Sequence, residues 1–180
     1  VEQWMAMAKA QNLSQWREAM KLHRVASFNF VAADSDGNIM FVHNSMTPVR
    51  AAGFDWSQYL PGNKREIIWD SYLPFDSLPQ LFNPASGYIL SANQSPFRVT
   101  SDPYNPDPTR YRAENGFPTR MTNRADRGLE LLEALGPISE SDFSAIKHDK
   151  SYSPNSRAGR FISKTVSQVL LKDTPVRYKE

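Results

Sequence analysis

Few residues of this chain have both the type and the spacing that unaided chemistry needs. The histidines, at positions 23, 43 and 148, contain no pair at the helical i, i+4 spacing of a zinc site. The sequence has no cysteine, which excludes disulfides, thiolate chemistry and cysteine–zinc sites. Glu66 and Asp70 lie one helical turn apart, but prolines on both sides argue against a helix there. The ligand count therefore argues against a metal-dependent hydrolase.

Hydroxyl nucleophiles give an equally weak signal. Ser151, Ser153 and Ser156 lie in a loop-like run without the G-x-S-x-G elbow that exposes a nucleophilic serine. A histidine in a strand or at a helix end is more often structural than catalytic. From residue types and spacing alone, the interpretation stops at a domain that contains both helices and strands.

Composition excludes several classes of partner. The chain has 180 residues, enough for one domain with a core, and its 40% apolar and 22% charged residues are ordinary for a globular protein. A net charge of +2 and the absence of a basic stripe with interleaved aromatics argue against nucleic-acid binding. No apolar run approaches the roughly 20 residues that span a bilayer. We expect neither a nucleic-acid partner nor a membrane span.

The first third of the chain reads as helix followed by hairpin. Residues 2–22 have apolar side chains at helical spacing, with a break near residues 12–14 and Ser14 as a plausible N-cap of a second helix. Residues 26–34 and 38–43 alternate between polar and apolar, as strands do. The intervening Asp-Ser-Asp-Gly-Asn resembles the start of a calcium loop, but Ser45 stands where such a loop places its glutamate, so a hairpin turn is favoured.

The rest of the chain alternates loops with short elements. Prolines predict loops over 47–84 and 97–118, and the apolar run 87–92 predicts a short buried strand. The remaining pattern predicts three helices, one over 123–135 that ends at Gly136-Pro137, one capped by Ser139 or Ser141 and running to Ile146, and one over 157–172. This order predicts an α+β fold.

One long stretch carries a resemblance to a known family. It contains DSDGNIMFVHNSMTPVR at 34–50, then GFDW and LPG, then WDSYLPFDSLPQLFNPASGYILSANQSP at 69–96. These strings closely resemble the β-subunit of the penicillin acylase (penicillin amidase) family, which includes the acyl-homoserine-lactone acylases. TRMTNRADRGLELLEAL at 119–135 continues the resemblance, which covers about residues 20–172. At Ser91 this sequence departs from the family pattern, which often has asparagine there.

The resemblance implies an N-terminal-nucleophile hydrolase with a four-layer αββα fold, of which this chain is an internal piece with helical additions. In that family a precursor cleaves itself and frees a serine amino group, and the serine then attacks an amide carbonyl with its own amine as base. The tetrahedral oxyanion needs aligned donors, and the N-x-S-P asparagine supplies one. That residue is Asn93 here, and Arg127 matches the arginine of the A-D-R helix start, with a weaker orienting role.

The same resemblance sets the other expectations. The chain begins at Val1 and holds no N-terminal nucleophile, so the isolated chain should be inactive and the nucleophile should lie upstream. Residues 1–24 form a helical lead-in, 25–96 a strand and loop region with the catalytic asparagine, and 97–180 loop and helices. Partners are the remaining α and β segments of the parent and a small acyl-amide substrate. The resemblance also implies a periplasmic, autoprocessed parent with antibiotics among its substrates, and it leaves penicillins, homoserine lactones and lipopeptides all open.

Two further points stay open from the sequence. Some family members hold calcium, for which Asp102 and Asp107 are the candidates, and no other cofactor is implied. The second open point is whether the chain serves catalysis at all. A non-catalytic scaffold or binding module derived from the same fold would keep the motif as architecture alone.

Overall fold

A computed structural model describes residues 1–170 of the chain. The chain divides into two compact units, Val1–Arg120 and Met121–Glu180. The first contains two helices and a small antiparallel sheet, and the described part of the second is helical. The predicted α+β class is therefore confirmed.

Two short helices open the first unit, α1 at Glu2–Lys9 and α2 at Leu13–Met20. The prediction of Ser14 as the N-cap of α2 is wrong, because the cap is Asn12. Its backbone is extended, with φ −155° and ψ 170°, and its side-chain oxygen accepts a hydrogen bond of 2.9 Å from the Gln15 amide. An N-cap oxygen commonly reaches the N–H of the third helical residue in this way, which leaves Ser14 inside the first turn.

The predicted hairpin is confirmed as β1 at Ser27–Ala33 and β2 at Ile39–Ser45, paired antiparallel. The turn between them depends on Asp34, whose carboxylate accepts hydrogen bonds from the amides of Asp36 and Asn38. Gly37 supplies the left-handed backbone of the turn, with φ +84°. Hydrogen bonds from the Asn38 side chain and backbone lower the pKa of Asp34, so the carboxylate stays ionised in its acceptor role.

The core of this unit lies between α2 and one face of the sheet. Side chains on a strand alternate between the faces, so positions with even numbers in β1 and β2 share one face. That face packs against α2 and a short 3₁₀ turn at Phe75–Ser77. The buried apolar side chains of the cluster are Leu13, Met20, Val25, Phe30, Met40, Val42, Phe75 and Leu78. The opposite face carries Asn29 and His43, directly paired across the two strands.

The third strand is not where the sequence pattern placed it. β3 is Gln80–Phe82 and pairs antiparallel with β2, whereas the strand expected over 87–92 is absent from the described structure. The physical reason is the side chain of Gln94, which hydrogen-bonds the carbonyl of Leu90 and the amide of Ala92. These backbone groups are thereby satisfied without a neighbouring strand.

The predicted loops over 47–84 and 97–118 are irregular apart from β3 and four short 3₁₀ turns. These turns are Arg65–Ile67, Phe75–Ser77, Pro108–Arg110 and Ala113–Asn115. One isolated bridge joins Pro48 to Tyr72, and Leu73 donates its amide to the carbonyl of Thr47 over 2.8 Å. The long loop after β2 therefore returns to its own starting point before β3.

The second unit contains α3 at Asn123–Leu135, α4 at Glu140–His148 and α5 at Arg157–Leu170. α3 is capped by Thr122 and is followed by Gly136 at φ +64°, as the Gly-Pro signal predicted. Of the two serines considered for α4, Ser139 is the cap, in a reciprocal capping box with Asp142. α4 ends two residues beyond the predicted Ile146, and residues 171–172 of the predicted last helix lie outside the described residues.

Candidate functional site

Asn93 lies at the tip of a loop rather than at the end of a strand. Its backbone has φ +60°, in the left-handed region that asparagine tolerates better than most residues, and the residue is exposed. The strand that the sequence predicts over 87–92, directly before the asparagine, is absent, so it does not hold Asn93. Something else must fix this loop if the amide is to have a defined direction.

The neighbouring Gln94 fixes the loop from inside. Gln94 is 1% exposed, and its side-chain amide makes three hydrogen bonds to the main chain of the same loop. Its Nε2 donates to the carbonyls of Leu90 at 2.8 Å and Arg98 at 3.1 Å, and its Oε1 accepts from the amide of Ala92 at 2.6 Å. Of two adjacent amide side chains, one therefore occupies the interior of the loop and the other lies on the exposed side.

The base of the loop is closed by main-chain and side-chain contacts. The amide of Leu90 donates to the carbonyl of Val99 over 2.7 Å, and the Thr100 hydroxyl donates to the carbonyl of Tyr88 over 2.9 Å. Asn105 then clamps the outgoing chain, since its Oδ1 accepts from the amides of Val99 and Thr100 and its Nδ2 donates to the Thr100 carbonyl. The loop that carries Asn93 is thus a closed unit.

A second anchor joins the loop to the sheet. The side-chain Nδ2 of Asn29, on β1, donates to the main-chain carbonyl of Gln94 over 2.9 Å. The Oδ1 of Asn29 lies 2.7 Å from Nδ1 of His43, its partner on β2. His43 is 6% exposed and packs edge-on against Phe117 at 5.6 Å between ring centroids, and burial lowers its pKa to about 4. The Gln94 carbonyl, one residue after Asn93, is therefore held by Asn29 and His43 of the sheet.

A third attachment lies on the far side of the loop. The amide of Ser95 donates to the carbonyl of Arg120 over 3.0 Å, and the Ser95 hydroxyl accepts from the amide of Phe97 over 3.2 Å. Ser95 is 3% exposed. The serine of the N-Q-S-P string therefore has a structural role, as does its glutamine.

Arg127 lies in the second unit, on the first turns of α3. Its Nε and Nη2 donate in parallel to the two carboxylate oxygens of Asp149 at 3.0 and 3.1 Å, and its Nη1 lies 3.7 Å from Oε2 of Glu130. The hydrogen bond that Arg127 donates to Asp149 raises the pKa of Arg127 and lowers the pKa of Asp149. The arginine expected to orient substrate or Asn93 thus has a carboxylate partner inside its own unit.

The calcium candidates are engaged in two separate turns. Asp102 accepts from Nδ2 of Asn105 at 2.9 Å, and Asp107 accepts from the amide and hydroxyl of Thr109 at 2.9 and 2.7 Å. The Thr109 hydroxyl is the main cause of the lowered pKa of Asp107. Across residues 1–170, no three histidine, aspartate or glutamate side chains are grouped as a metal site would require.

Arg50, the arginine of the Pro48-Val49-Arg50 string, is a junction between loops. Its Nη1 donates to the carbonyl of Glu114 at 3.0 Å, and its guanidinium lies 5.3 Å from the ring centre of Trp56 and 5.9 Å from that of Trp69. Cation–π contact of this kind favours a fixed guanidinium. A cavity of about 380 Å³ opens beside it, lined by Arg50, Phe54, Asp55, Trp56, Ser57, Ala113, Glu114 and Gly116.

The serines of the 151–156 run act in helix capping and turn formation. The hydroxyl of Ser153 donates to Glu130 over 2.6 Å, and the hydroxyl of Ser156 donates to the Ser153 carbonyl while it accepts from the amide of Gly159. Ser153 and Ser156 are buried. This pattern is that of an N-cap before α5, and it places no histidine beside either hydroxyl.

Sequence reasoning missed three residues that hold the candidate loop, namely Gln94, Asn29 and His43. Gln94 was visible inside the N-Q-S-P string, and a buried amide next to a turn is a recognisable signal. Asn29 and His43 are 65 and 51 positions from Gln94 in the chain, so only the paired strands reveal the connection. A histidine in a strand is expected to be structural, and the hydrogen bond between His43 and Asn29 agrees with that expectation.

Within the described 170 residues, none of the helices has the length and apolar character of a membrane span.

Comparison with known proteins gives consistent results. Over 94 residues, or 52% of the chain, it is 37% identical to penicillin G acylase from Escherichia coli, and the match spans 11% of that protein. Over 149 residues it is 29% identical to the penicillin acylase 2 proenzyme from Pseudomonas sp. (strain SE83), of which it spans 18%. The chain thus spans less than a fifth of either relative.

The fold has a counterpart among solved structures. A thermostable penicillin G acylase from Alcaligenes faecalis superposes with a TM-score of 0.66 at 20% identity, over 97% of this chain and 29% of that one. The sequence model of the penicillin amidase family matches residues 1–173. That match covers nearly the whole chain, and the chain therefore belongs to the penicillin amidase family.

Proposed function

We propose that the parent protein hydrolyses amide bonds as an acylase, and that this chain supplies Asn93 as a donor to the tetrahedral oxyanion. The observation that carries the proposal is the construction of the 88–100 loop. Its interior is filled by Gln94 and its base is closed, while Asn93 is exposed at its tip. A neutral amide donor held by a rigid loop is the arrangement that oxyanion stabilisation requires.

The attacking group, in this proposal, is an N-terminal serine of the parent, with its own amine as base. Ser153 and Ser156 do not suit the role, because both are buried and use their hydroxyls in capping. The isolated chain should therefore not turn over amides. Family membership further supports, as proposals, self-cleavage of a precursor, a periplasmic location and a small acyl-amide substrate, with antibiotics of the penicillin class among the candidates.

Arg127 has a secondary place in the proposal. Its positively charged guanidinium is paired with the Asp149 carboxylate through two parallel hydrogen bonds. We assign it an orienting role, through its fixed fork of donors, rather than a role in proton transfer. A calcium ion bound through Asp102 or Asp107 stays a minor proposal, since both carboxylates already accept local hydrogen bonds.

The alternative function is a scaffold or binding module that keeps the loop only as architecture. The internal bonding of Gln94 and Asn105 is compatible with this alternative, because both functions need a stable loop, whereas the exposed position of Asn93 at the tip favours catalysis. The two functions differ in one respect. Only catalysis requires an amide at position 93, whereas a scaffold needs only a residue that accepts φ +60°.

The deciding experiment compares Asn93→Gly and Asn93→Ala in the full-length parent. Glycine accepts the left-handed backbone and removes the amide, so folding is preserved while the donor is lost. Loss of one oxyanion donor typically lowers kcat by about 10²–10³. We expect kcat for phenylacetyl or long-chain acyl amides to fall by that factor with KM little changed, and an Asn93→Gly enzyme of normal kcat would refute the oxyanion role. Turnover by the isolated 180-residue chain would refute the upstream nucleophile.

A further inference from the structure

The main-chain carbonyl that follows Asn93 is held by a side chain of the sheet. Asn29 donates from Nδ2 to the Gln94 carbonyl at 2.9 Å, and this is a contact between residues 65 positions apart in the chain. The remaining contacts of Gln94 lie within its own loop. Asn29 therefore joins the loop that carries Asn93 to the sheet.

The contact between Asn29 and the Gln94 carbonyl determines which ring nitrogen of His43 carries the proton. A main-chain carbonyl can only accept, so Asn29 must direct its NH₂ group at Gln94 and its oxygen at His43. The Oδ1 atom of Asn29 is an acceptor, and the ring Nδ1 of His43, 2.7 Å away, must carry the proton. His43 is thus a donor at Nδ1 that prevents the Asn29 amide from rotating.

We propose that Asn29 and His43 are positioning residues for Asn93, which fix the direction of its amide through the Gln94 carbonyl. The proposal rests on the oxyanion role proposed above. Its physical basis is that the Gln94 carbonyl belongs to the peptide unit directly after the one that joins Asn93 to Gln94. A shift at this carbonyl changes the backbone torsions at residue 94 and so moves the Asn93 side chain. Misplacement of a reacting group by about 1 Å can cost about 100-fold in rate.

The chain offers a matched control in Asn44. Asn44 neighbours His43 on β2 but points to the other face of the sheet, where its Nδ2 donates to the Met20 carbonyl at 2.9 Å and its Oδ1 accepts from Gln3 at 2.9 Å. The two asparagines therefore make the same pair of contacts, one amide donated to a main-chain carbonyl and one oxygen bonded to a side-chain donor. Asn44 holds α2, whereas Asn29 holds the loop of Asn93.

The test introduces Asn29→Asp, Asn44→Asp and His43→Phe into the full-length parent. Asn29→Asp places a carboxylate oxygen against the Gln94 carbonyl, and we expect kcat to fall about 10- to 100-fold with KM within about twofold. His43→Phe keeps an aromatic ring against Phe117 but removes the donor, with an expected severalfold fall in kcat. Asn44→Asp should lower thermal stability and leave the kcat of the folded enzyme unchanged.

The outcomes separate this proposal from the function on which it rests. Unchanged kcat in both Asn29→Asp and His43→Phe, beside an inactive Asn93→Gly enzyme, overturns the positioning role alone. An equal fall in kcat for Asn29→Asp and Asn44→Asp also overturns it, because the effect would then be general damage to the sheet. If Asn93→Gly is fully active, the oxyanion role itself fails. Should Asn29→Asp not fold, His43→Phe alone decides, by its kcat and KM.

Discussion

A Cβ atom added to Gly116 would lie 2.6 Å from Nη1 of Arg50. Gly116 also has φ +69°, so two independent features favour glycine at this position. Arg50 cannot retreat without a change in its hydrogen bond to the Glu114 carbonyl and in its contacts with the two tryptophan rings. The loop at Gly116 can therefore approach the Arg50 guanidinium this closely because glycine has no side chain.

Gly116→Ala should accordingly destabilise the first unit more than a glycine substitution in open space. Gly53→Ala is the matched control, because Gly53 has φ +83° and nothing within 4 Å of its added Cβ. The left-handed backbone costs alanine about 1–2 kcal/mol at either site. Overpacking against Arg50 adds about 1–3 kcal/mol at Gly116 alone. Denaturant unfolding of the isolated chain measures both, and equal losses would contradict the packing argument.

The pH dependence of stability should carry the signature of His43. Its folded pKa of about 4 lies below the ordinary value of 6.5. Between these two pH values the histidine is protonated in the unfolded chain and neutral in the folded chain. Stability is then greatest above pH 6.5 and falls as the pH drops toward 4. The contribution is on the order of 3 kcal/mol across that window. In His43→Phe the fall should be much shallower, and an unchanged pH profile of the unfolding free energy would be inconsistent with a neutral buried histidine.

The tautomer of His43 is a separate observable. Asn29 donates from its Nδ2 to the Gln94 carbonyl, so its Oδ1 must accept from His43, and this requires the proton on Nδ1 at neutral pH. Nitrogen-15 NMR of the isolated chain distinguishes protonated from bare ring nitrogens. We expect Nδ1 to be protonated in the wild type and this preference to disappear in Asn29→Leu. A bare Nδ1 in the wild type would mean that the Asn29 amide is turned the other way.

The backbone at position 93 predicts a difference between two substitutions in the isolated chain. Asn93 has φ +60°, a conformation that costs alanine about 1 kcal/mol and glycine almost nothing. Asn93→Ala should therefore lower the free energy of unfolding by about 1 kcal/mol relative to Asn93→Gly. Chemical denaturation measures the difference. Equal stability of the two variants would show that the loop backbone relaxes at this residue.

Asp149→Asn should weaken the second unit through Arg127. The side-chain hydrogen bond from Arg127 is the main cause of the lowered pKa of Asp149, and a lowered carboxylate pKa stabilises the fold above the ordinary value of 3.8. That contribution is lost as the pH falls through the folded pKa. We expect Asp149→Asn to lower Tm at pH 7 and to match the wild type at low pH, with the exposed Asp70→Asn as the charge-matched control. A Tm deficit that persists at low pH would point to packing instead.

The sequence predicted those elements whose signal is local. The hairpin was visible because Asp34 and Gly37 define its turn, and α4 because Ser139 and Asp142 form a capping box within four residues. The error over 87–92 has a physical cause, since an apolar run does not show whether its backbone groups pair with a strand or with a side chain. Here the Gln94 side chain pairs with those backbone groups. A single contact between a side chain and the backbone produces no periodic pattern in the sequence that could reveal it.

The candidate site was predictable in part for the same reason. Asn93 was found through a motif, and its left-handed backbone agrees with a turn residue. The anchors at Asn29 and His43 were not predictable, because they depend on which strand positions face each other. Arg127 was found as a motif residue, whereas its pairing with Asp149 joins α3 to the end of α4 across 22 positions.

The clamp made by Asn105 has a consequence for how this region can vary in length. Because the clamp holds the chain at Val99 and Thr100, the main chain beyond Asn105 leaves the Asn93 loop from a point that is already fixed. Ser95 is tied to Arg120, on the far side of the same excursion. Within the intervening segment, the exposed 3₁₀ turn at Pro108–Arg110 is the natural place to insert residues or to graft a binding peptide, because Glu114, Gly116 and Phe117 further along contact Arg50 and His43. Such a change would alter the surface without changing the geometry at the tip of the neighbouring loop.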